Sequence, residues 1–300
     1  MLTATKGHYN GHFMVETLRR VLVCSPQIAG WDDPARAERW RELGFSHRPD
    51  FAVAQAQHDA LCRILEEAGA EVIHLSASAT LTLDAVYTHD ASAPTDFGLI
   101  PMNPGKASRV PEARDHLDLC KGLGIPMLGA VNSSGTSEAG DIVWLDAKTV
   151  LVGRGHRTNA AGIGQLRALL QPLGVEVLSA PLPYGQGPSA CLHLMSLISL
   201  LDENTALVDL PWLAVETVEL LQARGYGSVE MDTSERETLA CNVLSLGEGR
   251  SVALAENEKT NLRLRAAGFE VYTFPGSEIC INGGGGPTCL TRPLLRGVTA

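Results

Sequence analysis

The ten residues EEAGAEVIHL, residues 66–75, join the end of a helix-like segment to an apolar run through Gly69. A glycine just after the last helical turn is a common helix stop, and the apolar run that follows it predicts a buried strand. The same junction recurs around Gly124, Gly174, Gly225 and Gly268, at steps of roughly 50 residues, which indicates an architectural repeat.

Each repeat has room for two further short strands before its helix. The predicted helices are Gln55–Glu67, Glu112–Gly122, Asn159–Leu170, Trp212–Ala223 and Lys259–Ala267, and the clearest additional strands are Asp96–Met102, Asp141–Leu145 and Val150–Val152. The repeating unit is therefore strand, strand, helix, strand. Five such units favour a closed ring, a propeller of small α/β blades, over the alternative of an open α/β sheet with similar helix ends.

Composition excludes several classes of protein. The 300 residues are 45% apolar and 19% charged, with a formal net charge of −10, which predicts a folded chain that repels nucleic acid and anionic membranes. Neither a signal-peptide pattern at the start nor a membrane-spanning run is apparent. We expect one domain over residues 1–300, located in the cytoplasm, and leave a homodimer open.

The seven cysteines are scattered and never spaced as CxxC. This pattern favours neither a disulfide framework nor a zinc cluster, and it suits a reducing compartment. Six of them are expected to be small buried apolar residues: Cys24, Cys62, Cys120, Cys191, Cys241 and Cys280. The histidines show no ligand spacing, so no metal and no cofactor are predicted.

Cys289 is different because it follows the glycine run INGGGGPTC, residues 281–289. A phosphate-binding loop would require Gly-Lys-Ser/Thr after the glycines, and Pro287, Thr288 and Cys289 stand there instead. Glycines also allow the backbone to approach a ligand closely. That use would place the Cys289 thiol beside a bound molecule.

Reactive side chains stand at similar points in four of the five repeats. Asp90, Glu138, His193 and Cys289 follow their repeat glycines by about 14 to 21 residues. In a closed ring, equivalent positions converge near the axis. The repeat therefore predicts that two carboxylates, an imidazole and a thiol share one site.

A thiol beside a histidine indicates thiolate chemistry. Two carboxylates near a thiolate would repel it unless a cation lay between them, and a planar guanidinium suits bidentate pairing with carboxylates. We therefore expect Cys289 to attack a guanidinium carbon held by Asp90 and Glu138. His193 would protonate the leaving amine and then activate water.

The chain resembles the guanidine-modifying pentein superfamily, and most closely the dimethylarginine dimethylaminohydrolases. The motifs that carry this resemblance are THDAS (88–92), GKASRVPE (105–112), SEAGDIV (137–143), VGRGHRTNAAG (152–162), CLHLMS (191–196) and GGGGPTCLTRPLLR (283–296). The resemblance implies a fivefold α/β propeller, the pentein fold, and a cationic guanidino substrate. It implies that Cys289 is the nucleophile and His193 the acid/base. Glu138 matches a guanidinium-binding carboxylate of the family, and we place it in the catalytic set with Cys289 and His193.

The resemblance also implies that Asp90 binds the guanidinium, that Arg109 and Arg157 bind the substrate's α-carboxylate, and that residues 27–31 form a lid. Two positions depart from the family pattern: His89 replaces an expected Glu, and Met195 replaces an expected Lys. We include His89 among the substrate-binding candidates. Asp141 is included too, with structural hydrogen bonds at a strand start as its alternative role.

Three functions follow as hypotheses. The first is hydrolysis of an Nω-substituted arginine or related guanidino acid. The second is amidino transfer from the same Cys289 intermediate to an amine. The third is a non-catalytic binding protein on the same fold, which would not require Cys289 and His193 to lie near each other.

Overall fold

The structure is a computed structural model and describes residues 9–188 and 190–297. Its α-helices are α1 Pro34–Ala37, α2 Trp40–Leu43, α3 Phe51–Glu67, α4 Glu112–Gly122, α5 Ala160–Leu170, α6 Val215–Ala223 and α7 Glu258–Ala266. Its strands are β1 Leu18–Val23, β2 Glu71–His74, β3 Ser92–Thr95, β4 Gly98–Pro101, β5 Ile142–Asp146, β6 Thr149–Arg154, β7 Glu176–Pro181, β8 Ile198–Leu200, β9 Thr205–Val208, β10 Gly227–Glu230, β11 Leu244–Gly247, β12 Arg250–Leu254, β13 Glu270–Phe274 and β14 Arg292–Arg296.

The strands of the described residues form five small sheets, which we number in chain order. Sheet 1 has the order β14-β1-β2, sheet 2 is the pair β3-β4, sheet 3 is β5-β6-β7, sheet 4 is β8-β9-β10 and sheet 5 is β11-β12-β13. Leu99 of sheet 2 also makes a parallel bridge to Met127, which stands where a third strand would lie.

The four three-stranded sheets of the described residues share one topology. An antiparallel pair is followed by a helix and then by a parallel strand, as in β5-β6, α5 and β7. In sheet 1 the antiparallel partner of β1 is β14, from the other end of the chain. The predicted unit of strand, strand, helix, strand is thus confirmed in sheets 1, 3, 4 and 5, and in sheet 2 the bridge between Leu99 and Met127 stands in place of the last strand.

The five repeat glycines all adopt the left-handed backbone conformation, with φ between 78° at Gly124 and 97° at Gly268. Glycine adopts this conformation without the steric cost that a Cβ would add. The predicted helix ends were therefore accurate. Two helix starts were wrong: α3 begins four residues early because Asp50 caps it by accepting from the Val53 N–H, and α6 begins at Val215 after a 3-10 turn that contains Pro211.

The first strands of the sheets approach one another. β11 contacts both β1 and β8, β14 contacts β3, and β5 contacts the 3-10 turn that leads into β8. Sheets 2 and 3 are linked by a bridge between Asn103 and Ser137. The architecture is that of a five-bladed α/β propeller, as predicted, with the helices outside and the first strand of each sheet nearest the axis. The assignment of residues 1–300 to one domain stays a prediction.

Two cysteine predictions were wrong. Cys191 is exposed and Cys62 is half-buried, whereas the other four expected to be buried are buried. Cys191 lies in a turn-rich stretch before β8, outside regular structure, which explains its exposure. Among the described residues, no helix is long and apolar enough to cross a membrane.

Candidate active site

The side chains that the repeat predicts to converge lie just before the first strand of their sheets. Asp90 precedes β3, Glu138 precedes β5, His193 precedes β8 and Cys289 precedes β14. Three of these, Asp90, His193 and Cys289, line one cleft of about 990 Å³. Glu138 lies beneath it, fully buried, and reaches the site through His193.

Asp90 is 2% exposed and tied into the protein through both oxygens. Its Oδ1 accepts a hydrogen bond from the Gly140 N–H at 3.1 Å, and its Oδ2 accepts one from Arg109 Nη1 at 2.5 Å. The His193 Nδ1 lies 3.8 Å from Oδ1. The carboxylate is thus fixed in position beside the imidazole.

Gly140 explains how these groups come so close. A Cβ at Gly140 would lie 2.6 Å from His193 Nδ1 and 2.8 Å from Asp90 Oδ1. Contacts this short would force both catalytic candidates apart. The glycine of the SEAGDIV motif is therefore required by the site itself.

His193 and Glu138 form the tightest pair in the cleft. The distance from His193 Nε2 to Glu138 Oε2 is 2.7 Å, and both side chains are nearly inaccessible to solvent. Burial opposes the charged imidazolium, but Cys191, Asp90 and Glu138 outweigh it and raise the pKa of His193 well above its usual value. Burial likewise opposes the Glu138 carboxylate, but the hydrogen bond from His193 holds its pKa well below the usual range.

Two more groups hold Glu138 from the other side. Its Oε1 accepts from the Lys106 backbone N–H and from Arg157 Nη1, each at 3.3 Å. Arg157 is half-buried and lines the cleft. It therefore lies between the cleft and the carboxylate that orients His193.

Arg109 lines the cleft as well, but its guanidinium is engaged within the protein. Besides Asp90, it donates to Glu112 through Nε and Nη2 and to the Tyr87 carbonyl at 2.7 Å. Only 4% of the residue is exposed. In this structure its contacts serve to hold Asp90, and its expected contact with a substrate carboxylate stays a prediction.

The Cys289 thiol is held by a residue that the sequence analysis missed. Asn242 Nδ2 donates to Cys289 Sγ at 3.1 Å, and Asn242 Oδ1 accepts from the Thr288 N–H at 3.0 Å. Asn242 precedes β11, so it occupies in sheet 5 the place that Asp90 occupies in sheet 2. Completing the repeat across all five units would have identified it.

The environment of Cys289 favours the neutral thiol in the unliganded protein. Burial, together with the nearby Asp90 carboxylate, raises the pKa of Cys289 to about 12, while His193 and Asn242 act in the opposite direction. A cation placed beside the sulfur would favour the thiolate.

The glycine run before Cys289 has a packing role that the sequence did not indicate. A Cβ at Gly283 or Gly285 would lie within 2.5 Å of the Tyr87 ring or hydroxyl, and a Cβ at Gly286 would lie 2.6 Å from Asn242. Gly283 and Gly285 also line the cleft. The small residues therefore let the loop close over Tyr87 and Asn242 and bring its backbone to the cleft.

Two further candidates lie outside the residues that line the cleft. Asp141 is fully buried and accepts from the Leu194 N–H at 2.9 Å, which fixes the chain next to His193; burial raises the pKa of Asp141 to about 6. This contact matches the alternative structural role. His89 is also buried, and its ring contacts the Thr291 carbonyl and Arg292 rather than the cleft.

Three other positions differ from the sequence-based picture. Met195 is buried against a separate cavity near the axis and not against the cleft. Cys191 Sγ lies 3.7 Å from His193 Nδ1, which places a second thiol in the site. Trp31 of the expected lid is buried and donates to the Leu83 carbonyl; residues 41–44 and 46 line the cleft, whereas residues 27–31 do not.

The carboxylates of Asp90 and Glu138 and a nitrogen of His193 lie within 4.8 Å of one another, a spacing at which a metal ion could be held. The same carboxylates are already paired with Arg109 and Arg157. Those guanidinium groups supply the positive charge that a metal would bring. The sequence-based expectation of no metal stays a prediction.

Comparison with known proteins finds similar sequences. A family model described as arginine deiminase matches residues 211–296. The chain is 27% identical over 285 residues to the uncharacterized protein YkgA of Bacillus subtilis, with 94% of this chain and 93% of that protein covered. It is 32% identical over 162 residues to the N(G),N(G)-dimethylarginine dimethylaminohydrolase of Streptomyces coelicolor, with 54% of this chain and 59% of that protein covered. The chain thus spans less than two thirds of that relative.

Solved structures show the same fold. A mutant of the Pseudomonas aeruginosa dimethylarginine dimethylaminohydrolase complexed with citrulline superposes with a TM-score of 0.73 at 23% identity, covering 92% of this chain and 98% of that one. SxtG, an amidinotransferase from Microseira wollei, superposes with a TM-score of 0.74 at 19% identity, covering 98% of both chains.

Proposed function

Because the chain belongs to the guanidine-modifying pentein superfamily, we propose that it hydrolyses an Nω-substituted arginine or a related guanidino acid through a covalent intermediate on Cys289. The observation that carries this proposal is the meeting of Asp90, His193 and Cys289 in one cleft, with Glu138 bonded to His193. These groups come from four different sheets, so their convergence is a property of the fold.

Guanidinium recognition is supported by pairs already present in the protein. The Arg109 guanidinium pairs with Asp90, and the Arg157 guanidinium pairs with Glu138. Both carboxylates are therefore placed to accept planar N–H donors. A substrate guanidinium that enters the cleft would meet Asp90 on the side where His193 and Cys289 lie.

The first chemical step forms a carbon–sulfur bond. The positive charge of the bound guanidinium lowers the pKa of Cys289 from its value of about 12, and the thiol proton is lost to solvent. The thiolate attacks the central guanidinium carbon to give a tetrahedral adduct. His193, whose raised pKa keeps it protonated, gives its proton to the nitrogen of the departing amine, and the carbon–nitrogen bond breaks.

The second step removes the product. The covalent thiouronium on Cys289 is attacked by water, and the now neutral His193 takes the proton of that water. The carbon–sulfur bond then breaks, which releases a ureido acid such as citrulline and restores the thiol. The pairing with Glu138 keeps His193 oriented as it changes from acid to base.

The proposed substrate carries a carboxylate remote from its guanidinium. Arg157 lies at the cleft wall, and its bonds to Glu138 run through Nη1. Lys106 also lines the cleft, although its ammonium is paired with Asp84 at 2.6 Å. We propose Arg157 as the main carboxylate contact, with Arg109 behind it as the residue that holds Asp90.

A preference of the enzyme for N-alkylated substrates would come from apolar residues in the wall of the cleft. Met195 does not contribute to this wall, because it lines the other cavity. Trp212, Met231 and Leu239 do line the cleft and can accommodate alkyl groups. Each methylene-sized group buried there contributes about 0.8 kcal/mol.

The test is an assay of dimethylarginine, monomethylarginine, arginine and agmatine, with detection of both ureido product and released amine. An N-alkylated arginine should have the highest kcat/KM, and agmatine, which lacks the carboxylate, should be poor. Arginine or agmatine in first place would contradict the substrate assignment. The C289S variant serves as the inactive control for this assay.

Amidino transfer uses the same residues and differs only in what attacks the intermediate. Adding glycine to the assay distinguishes the two reactions, since transfer would divert the amidino group to the glycine nitrogen. A non-catalytic binding protein has no need for Cys289 and His193 in one cleft, so their placement counts against it. Absence of any turnover across the panel would favour that third function.

A further inference from the structure

A second cavity lies on the axis of the propeller and shares no lining residue with the cleft. Its volume is about 40 Å³, and residues of the first strands β3, β5, β8, β11 and β14 all contribute to its wall. The segment from Asn10 to Met14 forms part of the same wall. Nothing in the proposed hydrolysis uses this space.

Two buried arginines of β14 line this axial cavity. Arg292 is 7% exposed and Arg296 is 5% exposed. Within residues 9–188 and 190–297, no carboxylate oxygen lies within the ion-pair distance of 4.0 Å of either guanidinium. Asp90 interacts electrostatically with Arg292, and Glu16 with Arg296, only over longer distances.

Neutral acceptors surround both guanidinium groups. Arg292 donates to the carbonyls of His89 and Ser92 and to His89 Nε2, and its buried Nε has no partner. Arg296 donates to the carbonyls of Glu16 and Ser245. Burial lowers the pKa of Arg292 to about 9 and of Arg296 to about 10.

The His89 ring contributes a neutral group to the cavity wall. Its Nε2 accepts from Arg292, and its Nδ1 faces the Thr291 carbonyl as a donor, so the ring is neutral. Burial and the charge of Arg292 hold the pKa of His89 well below its usual value. The wall therefore carries two cations, a neutral imidazole and an unsatisfied N–H donor.

We propose that the axial cavity is a binding site for a small monovalent anion of the halide type, held between Arg292 and Arg296. Burying charge without a counter-charge is costly, and an anion here would compensate two cations at once and accept from the free Nε of Arg292. A single water needs about 10–15 Å³ of such space, so a cavity of about 40 Å³ has room for a halide ion.

Crystals grown in about 100 mM sodium bromide, with data collected at the bromine absorption edge, test the site directly on the unaltered protein. The expected result is an anomalous peak inside the axial cavity within contact distance of Arg292 Nε. A cavity that holds only water, or bromide found only on the protein surface, would overturn the proposal.

A thermal titration measures the same binding in solution. Chloride replaces gluconate at constant ionic strength, so that general screening is unchanged. A ligand that binds the folded state alone should raise Tm saturably, here by about 2 °C or more. No difference between chloride and gluconate would contradict the proposal.

Variants separate this site from general salt effects. Arg292→Met and Arg296→Met should each abolish the chloride-dependent rise in Tm. Arg250→Met is the matched control, because Arg250 also has an unpartnered Nε but lies on β12 outside the cavity wall, and it should keep the rise. An equal chloride response in the two cavity variants and the control would rule the site out. If Arg292→Met does not fold, Arg296→Met and the bromide data decide.

Discussion

The Glu138→Gln variant is the sharpest test of the proposed chemistry. Glu138 is fully buried and accepts hydrogen bonds from three residues, from His193 at 2.7 Å and from the Lys106 N–H and Arg157 at 3.3 Å each. Glutamine keeps the shape but offers one acceptor and one N–H₂ donor. If the glutamine oxygen faces His193, the glutamine NH₂ group faces the donors of Lys106 and Arg157. If the side-chain amide is flipped, the NH₂ group faces His193.

The magnitude follows from the loss of one hydrogen bond to a charged partner. Such a bond contributes about 1.5 to 3 kcal/mol, which corresponds to a decrease of about 10- to 150-fold in kcat/KM. The pKa of His193 should fall as well, because the hydrogen bond to Glu138 is among the causes that raise it. Activity requires protonated His193 in the proposed mechanism, so the alkaline limb of the pH profile should move to lower pH.

The assay is the pH dependence of kcat/KM for release of the amine, measured beside Glu256→Gln. Glu256 is half-buried and accepts from the Gly276 N–H at 2.8 Å outside the cleft, so its variant controls for loss of a hydrogen-bonded carboxylate away from the site. A Glu138→Gln enzyme within twofold of the wild type, with an unmoved alkaline limb, would refute the role of Glu138.

Four further outcomes are expected. Cys289→Ser should abolish turnover and keep the fold, because a hydroxyl is a far weaker nucleophile at neutral pH; a near-normal rate in this variant would refute the role of Cys289 as nucleophile. Acid-quenched wild-type protein should show a covalent adduct on Cys289 by mass spectrometry. Asp90→Asn should lose about 10-fold or more in kcat/KM, and a twofold loss or less would mean that the guanidinium is not held there. Asn242→Ala should lower kcat by about 2- to 12-fold, the worth of one neutral hydrogen bond, and an unchanged kcat would show that its contact with the sulfur is incidental. The rate of alkylation of Cys289 by iodoacetamide should rise about tenfold per pH unit above neutrality, because the pKa of the thiol is about 12. Peptide mapping distinguishes Cys289 from Cys191, and a rate that reaches a plateau near pH 8 would contradict this.

Local sequence patterns predict much of the fold without any knowledge of the tertiary structure. Helix ends are set by glycines that alone adopt the left-handed conformation cheaply, and all five repeat glycines do so. The helix Glu112–Gly122 was predicted to the residue. Helix starts were less accurate where capping shifted them, as at Asp50, because a side-chain cap several residues before the apolar periodicity leaves little trace in that periodicity.

The convergence of the site could also be predicted, since a ring brings equivalent positions of each repeat together. Asp90, His193 and Cys289 line one cleft for that reason. Asn242 was missed although it stands at the same point of its own repeat, because an amide carries no reactivity that would single it out. Its bond to Cys289 spans 47 residues of sequence and exists only through the packing of sheet 5 beside sheet 1.

The sequence alone determined which residue types recur and at what interval, and it thereby predicted the five-bladed architecture and the meeting of Asp90, His193 and Cys289 in one cleft. The direction in which each side chain points was decided only by the tertiary structure. His89 and Asp90 are neighbours in the chain, yet one lines the axial cavity and the other the cleft, and Met195 turns away from the cleft that His193 enters. Arg109, a plausible substrate ligand by its motif, is instead surrounded by Asp90, Glu112 and the Tyr87 carbonyl. The physical reason is that such orientations depend on side-chain packing between sheets that are far apart in sequence, which the local pattern does not encode.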